Sequence, residues 1–210
     1  MTGKFLDDFY EILFRPTQGM NKISREKTIW HGLLVYIGVS VIVSLSSGSY
    51  HPDSLAGDLG GLPFPVEVTE NMLRVLPFFN VLLNVTFIPV VFLIWTSILH
   101  LTADILGGQN RSYRLGAVIG YGQLPYVFMA PVSLLSQYLP FDLIGIASLV
   151  LFLWSLVLKI VGLRETYGFS TSKAILSYFL PVGVLLVSLI IFVIFLSLFF
   201  APFIAEFIPN

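Results

Sequence analysis

Residues 174–205, AILSYFLPVGVLLVSLIIFVIFLSLFFAPFIA, run for 32 positions without an Asp, Glu, Lys or Arg. A helix rises about 1.5 Å per residue, so roughly 20 apolar residues cross about 30 Å of hydrocarbon. This stretch exceeds one crossing, and with Pro181 inside it a kink, a tilt or a projecting end is expected. Four more uncharged runs precede it: 25 residues between Lys27 and Asp53, 29 between Arg74 and Asp104, 27 between Arg114 and Asp142, and 16 between Asp142 and Lys159. The last is short. Phe141 before it and Ile160–Val161 after it extend it to spanning length, the alternative being a re-entrant or buried helix. The expected fold class is all-α, a polytopic integral membrane bundle of five transmembrane helices over about 29–45, 76–101, 115–135, 141–161 and 174–204, with residues 1–28 as a separate N-terminal segment.

Composition agrees. Of 210 residues, 56% are hydrophobic and 11% charged, against about 45–50% and about 25% for soluble domains. A single soluble core of this size has no room for so much hydrocarbon, so the partner implied first is the lipid bilayer. The net charge of −1 gives no reason to expect nucleic acid, and with no cysteine in the chain, disulfides, thiolate metal sites and cysteine nucleophiles are excluded.

Basic residues set the orientation, because cytoplasmic loops hold an excess of Lys and Arg. With odd-numbered spans running outward, ten of the eleven basic residues fall on one side, and only Arg74 on the other. The N-terminus is therefore expected in the cytoplasm and the C-terminus outside, in the plasma membrane if the chain is prokaryotic. Residues 4–14, KFLDDFYEILF, place Phe5, Phe9, Ile12 and Leu13 on one helical face and acids on the other, an amphipathic helix for the cytoplasmic interface. Arg15–Pro16 ends it.

Polar groups at membrane depth are where function concentrates. On span two, Thr86, Pro89, Thr96, Ser97, His100 and Asp104 fall within an arc of roughly 100° at helical periodicity, a stripe expected to face other helices or water. One reading is a proton or cation path with the His100–Asp104 pair at its mouth; the favoured one is hydrogen bonding between helices. Two ligands are too few for a metal site, and no metal or other cofactor is expected. On span three, Gly116 and Gly120 form a small-xxx-small pair for close helix approach, with packing inside the chain favoured over a dimer interface. Pro125 removes a helix hydrogen bond, and Gln123 and Tyr126 are candidates to satisfy the freed backbone. Arg111, Arg114, Arg164 and Lys173 are candidate headgroup anchors or cytoplasmic contacts. The polar stretch 162–173, with Tyr167 in it, is a candidate docking loop. There is no phosphate loop, no H-E-x-x-H, no Gly-x-Ser-x-Gly and no carboxylate inside a span, so no enzyme is expected.

Several stretches together resemble the Yip family: Leu13-Phe-Arg-Pro-Thr-Gln-Gly-Met-Asn-Lys-Ile23; Leu106-Gly-Gly-Gln leading to Gly120-Tyr-Gly-Gln-Leu-Pro125; and Gly162-Leu-Arg-Glu with Ser170-Thr-Ser-Lys-Ala174 leading to Pro181. The resemblance covers nearly the whole chain. It implies five spans with the N-terminus cytoplasmic and, in eukaryotic relatives, interaction with Ypt/Rab GTPases in vesicle traffic. Those relatives carry a longer N-terminal region than the 28 or so residues here, and no GTPase-contact residue is carried over. The chain is similar to the short prokaryotic members, for which an exporter-accessory role is implied. The function expected is non-enzymatic, through protein or lipid partners or self-association; the alternative is a small transporter or channel on the span-two stripe.

Overall fold

The computed structural model describes residues 2–47, 66–108, 112–136 and 138–207, and every regular element among them is a helix. Two short helices, α1 (Thr2–Phe14) and α2 (Pro16–Glu26), precede α3 (Ile29–Ser47). Then come α4 (Val66–Ile105), α5 (Ser112–Tyr121), a 3₁₀ segment (Leu124–Phe128), α6 (Met129–Ser136), α7 (Leu143–Tyr167) and α8 (Thr171–Phe207). Five stretches are long and apolar enough to cross a bilayer: Ile29–Ser46, Val81–Ile105, Arg114–Ser136, Leu143–Tyr167 and Thr171–Phe200. Residues 48–65 lie outside the described residues. Helix α4 begins at Val66, before the second span, and passes through Pro77 and Pro89 as one element.

Span three departs most from a plain crossing. After Tyr121 the chain turns, tightens into the 3₁₀ segment and resumes as α6. In place of the helical pattern, Gln123 N–H donates to Gly120 O (3.1 Å) and Tyr126 N–H to Gln123 O (3.0 Å). Gly122 O, freed by that change, accepts from Ser155 Oγ of α7 at 2.8 Å. That carbonyl is satisfied by a neighbour's hydroxyl. Pro181 is handled the same way. It has no N–H for Ser177 O, and Thr102 Oγ1 of α4 donates to that carbonyl at 3.0 Å. In hydrocarbon no water can do this work, so hydroxyls of adjacent helices must.

Span four also differs. Residues 162–167, expected in a loop, are the last turns of α7, and the connection to α8 is only Gly168–Ser170. Gly168 stops the helix at φ +68°, with its N–H on Arg164 O, a left-handed cap that glycine adopts without steric cost. Gly162 does not break the helix because it serves packing: a Cβ there would strike Val118.

The helices meet mainly at one end, called proximal below. There α2 packs on α5 and α7, α3 on α4 and α5, and α8 on α4 and α7. One apolar cluster joins Ile12, Met20 and Ile23 of the N-terminal helices to Val39, Val118 and Leu158. A second joins Phe92, Leu99, Leu115, Leu163 and Ala174. Glycines set the closest approach. A Cβ on Gly120 would be driven into the backbone of Gly32, and one on Gly32 into the backbone of Gly116 and Ala117. At the far end of α8 the opposite holds, and every residue from 182 to 200 is exposed.

Candidate functional face

Helices α1 and α2 fold back on one another at Arg15–Pro16, and α2 lies against the bundle. What fixes them is a carboxylate. Asp8, 2% exposed, is paired with Lys22 Nζ at 3.0 Å and Lys27 Nζ at 2.6 Å, while Lys22 also meets Glu11 at 2.9 Å. Bonding to Glu11 and then Asp8 holds Lys22 above the usual lysine value, and bonding to Asp8 does the same for Lys27. The amphipathic reading of 4–14 puts all its acids on the solvent side. Asp8 instead lies on the buried side, beside Ile12, because the two lysines brought by α2 and its C-cap neutralise it there. Nothing periodic in the sequence signals that pairing; it depends on how tightly the chain turns at Pro16.

Further ties run from the hairpin to the end of α7. Asn21 Nδ2 donates to Glu165 Oε2 at 2.7 Å, and Arg164 spans Glu165 Oε1 (2.8 Å) and Thr17 Oγ1 (3.4 Å). Arg164 is thereby engaged within the chain. Neither Asn21 nor Glu165 stands out in the sequence, since each looks like an ordinary surface residue.

Tyr167, expected on a docking loop, is only 6% exposed. Its hydroxyl meets His100 Nδ1 at 2.7 Å, and its ring stacks on Phe169 at 5.4 Å. It is a brace between spans two and four, because the helix continues past Gly162 and turns its side chain inward. His100 Nε2 lies 3.5 Å from Asp104 Oδ2, which is near the mouth of the bundle. Gly107 (φ +84°) lets the chain after α4 turn, and Gly108 sits where a Cβ would press on the ring of Tyr167.

The rest of the span-two stripe divides. Thr96 is buried, and its Oγ1 has no partner among the described residues. Thr86 and Ser97 are exposed. Thr86 meets its need locally, donating to Leu82 O at 2.8 Å, which lets a hydroxyl face lipid at little cost. Gly116 and Gly120 both lie against span one, and Pro125 is buried in the 3₁₀ segment. Arg114 is half-buried in the first turns of α5, Lys173 is exposed in the first turn of α8, and Arg111 lies outside the described residues. Ser170 Oγ accepts from Lys173 N–H at 3.4 Å. Lys159 is followed by eight more helical residues, and its Cγ would lie 2.7 Å from a Cβ on Gly122. Among the described residues no group of three His, Asp or Glu side chains is placed to hold a metal.

The proximal face is thus one connected surface in which hairpin, α4 end and α7 end hold each other. Compared with known families, residues 10–205 match the Yip1 domain. No curated protein and no solved structure matches.

Proposed function

The chain belongs to the Yip1 domain family, and on that premise we propose that it is a non-enzymatic membrane protein that acts by binding partners at its proximal face. The observation that supports this is the lacing of that face. Asp8 with Lys22 and Lys27, Asn21 with Glu165, and His100 with Tyr167 tie three separate stretches of chain into one surface. A surface fixed before binding loses little freedom when a partner docks. Its outward groups are Arg15, Thr17, Arg25, Asp104, Ser172 and Lys173, a mixed-charge set suited to a protein loop or to lipid headgroups. The role is of the membrane-organising, trafficking-like or exporter-accessory kind.

The proximal face is cytoplasmic in this reading, since ten of the eleven basic residues fall, in chain order, on the side of the spans to which it belongs. Because the chain has no cysteine, single-cysteine labelling is clean. Asp142→Cys should react with an impermeant reagent added outside intact cells, and Lys173→Cys only after lysis; the reverse pattern inverts the topology. The function itself is tested by crosslinking in native membranes followed by mass spectrometry. Specific partners or self-crosslinks through the proximal face are expected, and a chain recovered only as a partnerless monomer sinks the proposal.

A further inference from the structure

Helix α1 roofs a groove of about 480 Å³ whose floor is α3 and the broken part of span three. Phe5 and Phe9 form the roof, and Leu34, Gly38, Ile42 and Leu124 the walls. The wall on α3 runs from His31 to Ile42, eleven steps or about 16 Å of helix. That is half of a hydrocarbon core of about 30 Å, the depth of one leaflet. It begins near the proximal end of span one and reaches a little past its middle. Gly38 opens its middle, since a Cβ there would meet nothing within 4 Å.

Polarity is confined to one end. His31 stands at the mouth, exposed, and its Nδ1 accepts from the Thr28 backbone N–H at 3.4 Å. Thr28 Oγ1 lies 2.9 Å from the same nitrogen, so Nδ1 is engaged within the chain and Nε2 is the ring nitrogen left to face the groove mouth. A groove about one leaflet deep, lined by apolar side chains apart from His31 and Tyr121, with the imidazole at its proximal mouth, has the shape and polarity of an amphiphile. On the other side of α1 lies a second crevice of about 510 Å³, lined by Leu13, Phe14, Pro125, Phe128 and Trp154 among others, with no ionisable residue in its lining. The first groove alone distinguishes a head from a tail.

We infer that this groove is a binding site for a glycerophospholipid of the proximal leaflet, one acyl chain lying beneath α1 along Leu34–Ile42 and the phosphate accepting from His31 Nε2–H. The inference deepens the partner-binding reading on its lipid side. It can fail while crosslinked protein partners persist, and the converse also holds, because it is read on the isolated chain.

The test is native mass spectrometry of the chain released from nanodiscs of phosphatidylglycerol and phosphatidylcholine. One phospholipid should stay with each chain through delipidating detergent. Gly38→Phe should abolish that retention by filling the groove, with an unchanged melting temperature showing that the fold is intact. Gly183→Phe, on an equally open glycine of α8 outside the groove, should leave retention unchanged. His31→Ala should weaken it about tenfold, the loss of one hydrogen bond to a charged group. Equal retention in Gly38→Phe and the wild-type chain, or equal loss in Gly183→Phe, overturns the site. If Gly38→Phe melts early, a photoactivatable acyl-chain lipid decides on the wild-type chain: adducts within 34–42 support the site, and adducts spread evenly over the exposed helix faces overturn it.

Discussion

The first turns of α8 and its remainder behave differently. Ala174 and Ser177 are fully buried, whereas from Val182 to Phe200 each residue is exposed. Hydrophobicity cannot make that difference, because in a bilayer the lipid tails are as good a solvent for Leu and Phe as another helix is. The proximal half is held by what lipid cannot replace: glycines that admit a neighbouring backbone, hydroxyls that reach freed carbonyls, and an ion pair. Hydroxyls of the exposed regions bond within their own helix, as Ser46 does to Ile42 O and Ser197 to Val193 O. Two buried ones, Ser155 and Thr102, cross between helices, whereas the buried Thr166 stays within its own on Gly162 O.

The contrast is broken most severely at Gly120. A side chain there meets the Gly32 backbone, which cannot rotate away, so Gly120→Leu should cost about 3 kcal/mol or more, at or beyond the upper end of the roughly 1–3 kcal/mol range for overpacking. Thermal unfolding in detergent should show a large fall in midpoint, or no folded protein at all. A fall matched by Gly183→Leu would show that the two halves do not differ as described.

Next in size is Asp8→Ala. It leaves two lysines without their shared carboxylate, and since those lysines are partly exposed the cost should be about 2 kcal/mol, between the values for surface and buried pairs. Loss of hydrogen-exchange protection in α1, with α5 and α7 unaffected, is the expected signature. Raised lysine values favour the charged form in the folded state, so this stabilisation is complete below the ordinary value of 10.5 and is lost as pH rises through the folded-state values. In the wild-type chain α1 should therefore stay docked through neutral pH and loosen only above about 10.5. Loosening between about pH 6 and 9 would mean that something other than these lysines fixes the hairpin.

Thr102→Val and Ser155→Ala should each cost about 1 kcal/mol, within the range measured for hydrogen bonds between membrane helices. Their counterparts, Thr86→Val and Ser197→Ala, should cost close to nothing. Equal effects in the two sets would remove the distinction between crossing and local hydroxyls.

How far all this is legible in the sequence follows from the same physics. Spans announce themselves because charge cannot enter hydrocarbon, so five uncharged runs read directly as five helices. The closeness of Gly116 and Gly120 can be read from their spacing, though the partner, Gly32, lies in another span. Where sequence and structure part, the cause is a partner distant in the chain. Asp8 sits on a helix that looks simply amphipathic until Lys22 and Lys27 are brought round by the turn at Pro16. Tyr167 reads as a loop residue because Gly162 resembles a helix end, and only Val118, 44 positions earlier, shows why a glycine is needed there.

The smallest effect is the most discriminating. Gly183 lies within α8, and a Cβ added there would meet nothing within 4 Å, so Gly183→Ala removes only the flexibility of glycine and should stabilise the chain by roughly 0.5 kcal/mol. That holds if lipid alone touches the outer part of α8. A partner helix packed on that glycine would reverse the sign, because a methyl group would hold it off. The sign of the change in melting temperature, measured in detergent and again in native membranes, therefore separates the two surroundings. Stabilisation in both confines recognition to the proximal end, whereas stabilisation in detergent alone would show that a second binding surface forms in the membrane.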